Sequence, residues 1–341
     1  MFSSPAPWAK SLRVVIPVGV LALALTACSG GDSGSGSGSD AASGDKIAAV
    51  IKGLDNPFFQ AMEDGIKDAD PDATVQAAAD IGDTTGQADK LTTLAGQDFG
   101  CYIVNPISGT NLIQALTQVS SAGKTIVNID SPIDADAAKT ANIDIATYIG
   151  TDNKAAGGKA GDFVAEQVEQ DSEVAIIGGI AGDVTSGARV DGFKAAVDGK
   201  LTVIQESAAD WKREVALTAA TDIIAANPNV KAFFAANDDM GLGIVKAIEN
   251  AGRTGEIVVV SVDGNEDALE SVKAGGLTAT VAQYPYAIGQ LGVQACEAAA
   301  AGDDLPETVE SPTALVTTDV ADDAIEAFPQ PFEEFENPLE K

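Results

Sequence analysis

Ten short apolar runs recur along this 341-residue chain, beginning at Lys46, Ala73, Cys101, Thr125, Thr147, Glu173, Leu201, Lys231, Glu256 and Leu277. Between most of them lies a stretch of roughly 10 to 15 residues with apolar positions three and four apart, as in NLIQALTQVSSAG from Asn111 and MGLGIVKAIENAG from Met240. Runs and stretches alternating in this way read as βαβ units, which need parallel sheets covered by helices on both faces. So many strands exceed what one twisted open sheet usually holds, so the pattern predicts two α/β lobes, each with its own sheet.

Polar residues cluster where the runs end: Asn105, Asp130, Asp152, Asn237, Asp238, Asp263 and Gln283. Any one of them alone is explained as a helix cap. Together, at equivalent places, they predict a polar crevice between the lobes, because ligands of open parallel sheets sit beyond the carboxyl ends of the strands. The segment LDNPFFQAMEDG, from Leu54, adds an oddity. Asn56 and Pro57 have the form of a helix start, an N-cap followed by proline. Phe58 and Phe59 then point about 100° apart around that helix, so a core can bury one easily and both only with difficulty.

The amino-terminal stretch has a different character. Lys10 and Arg13 precede an apolar run over 14–25, short for a membrane span and of the length of a signal peptide. It ends in LTAC, which resembles the bacterial lipobox, so Cys28 is expected to carry a lipid; the alternative is a plain signal peptide with an incidental cysteine. Residues 29–45, rich in Gly and Ser with no apolar side chain larger than alanine, read as a tether. No later run is long and apolar enough for a transmembrane helix.

Charge and composition remove several functions. The formal net charge of −31 disfavours nucleic acid and adsorption on anionic lipid. With no histidine, Ser–His and Cys–His nucleophile systems and His-based metal sites are excluded. GLGIVK at 241–246 and GGIAG at 178–182 lack the spacing of a dinucleotide loop. DADPDA at 68–73 lacks the glycine and glutamate of a calcium loop. There is no Walker A loop and no GxSxG elbow. A binding protein without metal or cofactor is therefore expected, rather than an enzyme.

Eight short motifs then carry a resemblance: DNPFF (55–59), VNP (104–106), NID (128–130), TDN (151–153), GARVDGF (187–193), ANDDMGLG (236–243), VDG (262–264) and VAQ (281–283). In this order they resemble the ribose/galactose type of periplasmic solute-binding proteins of ABC importers, over about residues 45–318. The resemblance implies a type I periplasmic binding protein: two Rossmann-like lobes with parallel sheets joined by a three-crossing hinge. It divides the chain into a leader (1–27), a lipidated cysteine with its tether (28–45), an N-terminal lobe (46–150 plus 285–311), a C-terminal lobe (151–283 plus 313–318) and an acidic tail (319–341). It further implies a monomer that closes on a monosaccharide or sugar alcohol and hands it to a permease outside the cytoplasm. A receptor feeding a chemotaxis or sensor protein is the alternative.

The site residues implied by the resemblance are Asn56, Phe58, Phe59, Asn105, Asp130, Ser131, Arg189, Trp211, Asn237, Asp263 and Gln283. Aromatic rings suit the flat C–H faces of a sugar. Amides and carboxylates suit its hydroxyls, and a guanidinium offers a rigid fork. This gives Phe58 and Phe59 a role in a first-lobe wall and Trp211 one in the second; Asn56 either caps its helix or contacts sugar. There is one departure from the pattern. The family has arginine after the aspartate that corresponds to Asp130, and Ser131 stands there instead. A roomier, less positive pocket is expected, equally suited to a hexose, another pentose or a polyol. Cys101 and Cys296 both fall in the first lobe by the same alignment, either as a disulfide or as two buried thiols.

Overall fold

The structure, a computed structural model, describes residues 46–333, 335 and 337–340. The leader, Cys28 and the tether lie outside them. The strands are β1 (Ile47–Ile51), β2 (Thr74–Ala77), β3 (Cys101–Val104), β4 (Thr125–Ile129), β5 (Thr147–Gly150), β6 (Glu173–Gly178), β7 (Thr202–Ala208), β8 (Ala232–Ala235), β9 (Val258–Asp263), β10 (Ala279–Ala282), β11 (Thr308–Glu310) and β12 (Ala314–Thr317). They form two six-stranded sheets, ordered β11-β5-β4-β3-β1-β2 and β12-β10-β9-β8-β6-β7. Every pairing is parallel except β10 with β12.

All ten apolar runs contain a strand. The period-two alternation within a strand explains why they are so uniformly apolar. In β1, Ile47, Ala49 and Ile51 join the core beneath the helices Pro57–Ala69 and Pro285–Ala301. Ala48 and Val50 join the opposite core, beneath Thr84–Ala95 and Ile113–Ser121. Two strands lie outside the ten runs: β12, within the stretch 313–318 that the resemblance gave to the C-terminal lobe, and the shorter β11. It has three residues, of which only Val309 is buried, so it carries no periodic signal; what makes it a strand is its register against Tyr148–Gly150 of β5.

The chain passes between the sheets three times: after β5, after β10, and from β11 to β12. Because helix Pro285–Ala301 follows β10 of the second sheet yet packs on the first, each half is built from discontinuous chain. Cys296 on that helix is bonded to Cys101 on β3, with a Cα–Cα distance of 5.7 Å. The end of the chain also bridges the halves. Helix Ala321–Ala327 sits in the second half, with Asp322 paired to Lys273 at 2.8 Å. Phe335 then packs against the cores of both halves, and Leu339 against the first. Asn337 Nδ2 donates to Gln294 Oε1 at 2.9 Å.

Two glycines seat the helix that carries Arg189. A Cβ on Gly157 would lie 1.9 Å from the Arg189 carbonyl oxygen, and one on Gly192 2.0 Å from that of Lys154. Helices Asn153–Gln167 and Val184–Val197 reach this separation only because neither position has a side chain.

Candidate functional site

The carboxyl ends of the two sheets face a common cavity of about 550 Å³ counted to its mouth, lined by residues of both halves.

On the first half, Asn56 Oδ1 accepts from the Phe58 amide at 2.9 Å and starts the helix Pro57–Ala69. Asn56 also lines the cavity, so capping and facing the site are not alternatives. Phe58 and Phe59 meet edge to face, with ring centroids 5.1 Å apart. Both are nearly buried in the first core, and both line the cavity. The helix mouth therefore accommodates two adjacent rings by giving one flank to the core and the other to the cleft.

Opposite them, Asp130 and Ser131 follow β4. The Ser131 hydroxyl donates to Asp130 Oδ2 at 3.0 Å and accepts from Lys52 Nζ at 2.6 Å. Lys52 Nζ also lies 3.7 Å from Asp130 Oδ2 and 5.3 Å from the centroid of the Phe59 ring. The corner therefore holds a cation beside the Asp130 carboxylate. Ser131 does remove a guanidinium, but Lys52, one residue beyond β1, sends its ammonium to the same corner. The charge is supplied from the end of β1, which β3 separates from β4 in the sheet.

On the second half, Arg189 is buried and held from three sides. Its Nε donates to Asn153 Oδ1 at 2.8 Å, and Nη1 to the Ala236 carbonyl at 2.7 Å and Asp263 Oδ1 at 3.1 Å. Nε and Nη1 are thus committed to protein acceptors. Asp263 Oδ1 also accepts from Gln283 Nε2 at 2.7 Å. Asn237 Oδ1 caps the next helix by accepting from the Met240 amide at 2.9 Å. The Trp211 ring stands 5.8 Å from the Arg189 guanidinium carbon. Burial pushes the Asp263 carboxyl above its ordinary range, opposed by the adjacent Arg189 and reinforced by Asp130.

Three of these residues have backbones in regions that side chains rarely adopt: Asp130 at φ 59°, Trp211 at 62° and Asp263 at 138°. Such conformations cost on the order of 1–3 kcal/mol each and cluster at ligand sites. Nothing in the sequence signals them, since each is a non-glycine residue whose conformation is set by its surroundings.

Of the residues singled out from sequence, Asn56, Phe58, Phe59, Asp130, Ser131, Arg189, Trp211, Asn237 and Asp263 line the cavity. Asn105 and Gln283 are not among its lining residues; both are buried behind it. Asn105 Nδ2 contacts Met62 Sδ at 3.4 Å, and Gln283 braces Asp263. Asn105 Oδ1 and Gln283 Oε1 are nonetheless buried without a hydrogen-bond partner among the described residues, so each still has an acceptor to offer. Sequence reasoning missed Lys52, Asp183 and Ile180. Lys52 could have been found by the rule that located Asp130, its place just past a strand end. Asp183 reads only as a cap, and it is one: its Oδ1 accepts from the Ser186 amide at 2.8 Å.

Comparison with known proteins agrees with this architecture. The model of the periplasmic binding protein domain family matches residues 47–304. The D-allose-binding periplasmic protein of Escherichia coli is 37% identical over 260 residues, covering 73% of this chain and 82% of that protein. The ribose import binding protein of Bacillus subtilis is 31% identical, covering 80% and 87% respectively. Among solved structures, an ABC transporter periplasmic solute-binding protein from Actinobacillus succinogenes with bound D-allose superposes with a TM-score of 0.77 at 28% identity, covering 82% of this chain and 99% of that one.

Proposed function

This chain belongs to the periplasmic binding protein domain family, and from that premise we propose that it is the solute-binding lipoprotein of an ABC sugar importer. It binds a monosaccharide or sugar alcohol between lobes 46–150 plus 285–311 and 151–283 plus 313–318, and delivers it to the permease. Cys28 anchors it outside the cytoplasm, with 29–45 as tether. One observation carries the reading: aromatic rings from both halves, Phe58 and Phe59 on one and Trp211 on the other, face a single cavity among fixed donors and acceptors. That is the surface a sugar presents, flat C–H faces edged by hydroxyls.

The charge pattern supports a neutral ligand. Lys52 and Arg189 are offset by Asp130, Asp183 and Asp263 around the same cavity, and an anionic sugar would meet this carboxylate excess. Contacts to both lobes would favour the closed arrangement over the open one, which is how binding drives hinge closure.

The test is a thermal-shift screen over neutral monosaccharides and polyols, confirmed by calorimetry, since a ligand of the folded state raises its stability by mass action. A screen in which no neutral sugar or polyol binds would sink the proposal. Uptake in a strain lacking the neighbouring permease separates transport from sensing: uptake independent of that permease assigns a sensor role. Identical N-terminal lipid in the parent and Cys28→Ser by mass spectrometry would remove the anchor.

A further inference from the structure

Asp238 has no exposed surface and does not line the cavity. Its carboxyl group nevertheless joins β9, β10 and the turn that follows β9. Oδ1 accepts from Ser261 Oγ on β9 at 2.5 Å and from Thr280 Oγ1 on β10 at 2.7 Å. Oδ2 accepts from the backbone amide of Asn265 at 2.8 Å. Ser261 precedes Asp263 by two residues and Asn265 follows it by two, so the chain on both sides of Asp263 is tied to one side chain. Thr280, which faces Ser261 in register, lies three residues before Gln283, the other residue that bonds Asp263.

Between these two ties the backbone of Asp263 holds φ 138°. A non-glycine residue stays in so sparsely populated a region only where its surroundings over-determine it. The two ties supply that determination. They also set where Asp263 Oδ1 meets Arg189 Nη1, the contact that orients the guanidinium in the cavity.

We propose that Asp238 is a positioning residue for ligand binding: it holds Asp263 in its strained conformation, and through Asp263 it aims Arg189. The inference rests on the sugar-binding reading above only for its effect on affinity. Its structural half stands separately. Binding sites need their contacting groups locked by supporting hydrogen bonds, and here one buried carboxyl group supports an acceptor and a donor together.

The experiment compares the parent with Asp238→Ala, Asp238→Asn and Ile248→Ala, the last removing buried apolar surface from the far part of the same helix, Asp238–Asn250. D-allose and D-ribose are the calorimetric probes. Asp238→Ala is expected to bind at least about tenfold more weakly, with Asp238→Asn, which retains one acceptor oxygen, in between. Ile248→Ala should stay within about twofold of the parent although its melting temperature falls. In parallel, the sugar-free crystal structure of Asp238→Ala, or of Asp238→Asn should the alanine variant not fold, is expected to show Asp263 out of the φ 138° conformation and away from Arg189. An unchanged Asp263 in that structure overturns the proposal, and so does an equal affinity loss in Ile248→Ala. If the parent binds neither probe, the crystal structure alone decides the positioning role, and the sugar reading is judged by its own screen.

Discussion

Replacing Gly179 by alanine would test whether Trp211 forms a wall of the binding cleft. Gly179 follows β6 and lines a groove behind the tryptophan, whereas Trp211 lines the cleft itself. A Cβ built on Gly179 would lie 2.2 Å from Trp211 Cε2, 2.4 Å from Cζ2 and 2.5 Å from Cδ2. Ordinary carbon contacts are about 3.5–4.0 Å, so the ring must retreat by roughly 1–2 Å. Its backbone, at φ 62°, has little freedom to follow. The open direction is into the cleft, across the space beside Arg189 that a sugar face would occupy. Overpacking of this kind typically costs about 1–3 kcal/mol, and if that is felt only when the cleft is filled, affinity falls about fivefold to 150-fold. The assay is calorimetry with the best sugar from the screen, together with the emission of Trp211 in protein lacking residues 1–27, where it is the sole tryptophan. Gly187→Ala is the control, because a Cβ there meets nothing within 4 Å. Parent-like affinity and parent-like emission in Gly179→Ala would refute the reasoning.

Three further outcomes follow from the same geometry. Lys52→Met should weaken sugar binding by at least about tenfold, because it removes a charged donor and leaves the Ser131 and Asp130 corner without its cation; calorimetry showing an unchanged constant would count against Lys52 as a site residue. Burial, reinforced by the nearby Asp263, raises the Asp238 carboxyl to about 8, so its stabilising contribution is complete below its unfolded value of about 4 and is lost as pH rises through the folded value. The melting temperature of the sugar-free parent should therefore fall relative to Asp238→Asn between about pH 5 and pH 8, and a difference independent of pH would contradict the shift. Cys296→Ser should cost about 2–4 kcal/mol in denaturant unfolding, because Cys101 and Cys296 close a long loop with a sequence separation of 195; two freely alkylated thiols in the native, unreduced parent would show that no bond is present.

The alternation of apolar runs and helical stretches determined the fold class by itself, because a strand or a helix advertises its buried faces within a few residues. The same local logic located Asn56, since an N-cap acts on an amide two residues away, and it pointed to the strand ends as the rim of a crevice. What the tertiary structure decided lies where distant segments meet. The Lys52 ammonium and the Ser131 hydroxyl are separated by 79 residues, and they touch only because β1 and β4 flank β3 and release the chain at the same edge. Asp130, Trp211 and Asp263 take strained backbones that no residue type announces. Asn105 and Gln283 are not among the lining residues of the cavity although they share the strand-end rule with residues that line it, and their amide nitrogens are taken up by Met62 and Asp263. The tail that follows β12 carries no periodic pattern to place it, yet Phe335 packs against both cores. Periodicity says which face of an element is buried; the neighbour that buries it, and the side chains that converge at its end, are set by the register and order of the sheets.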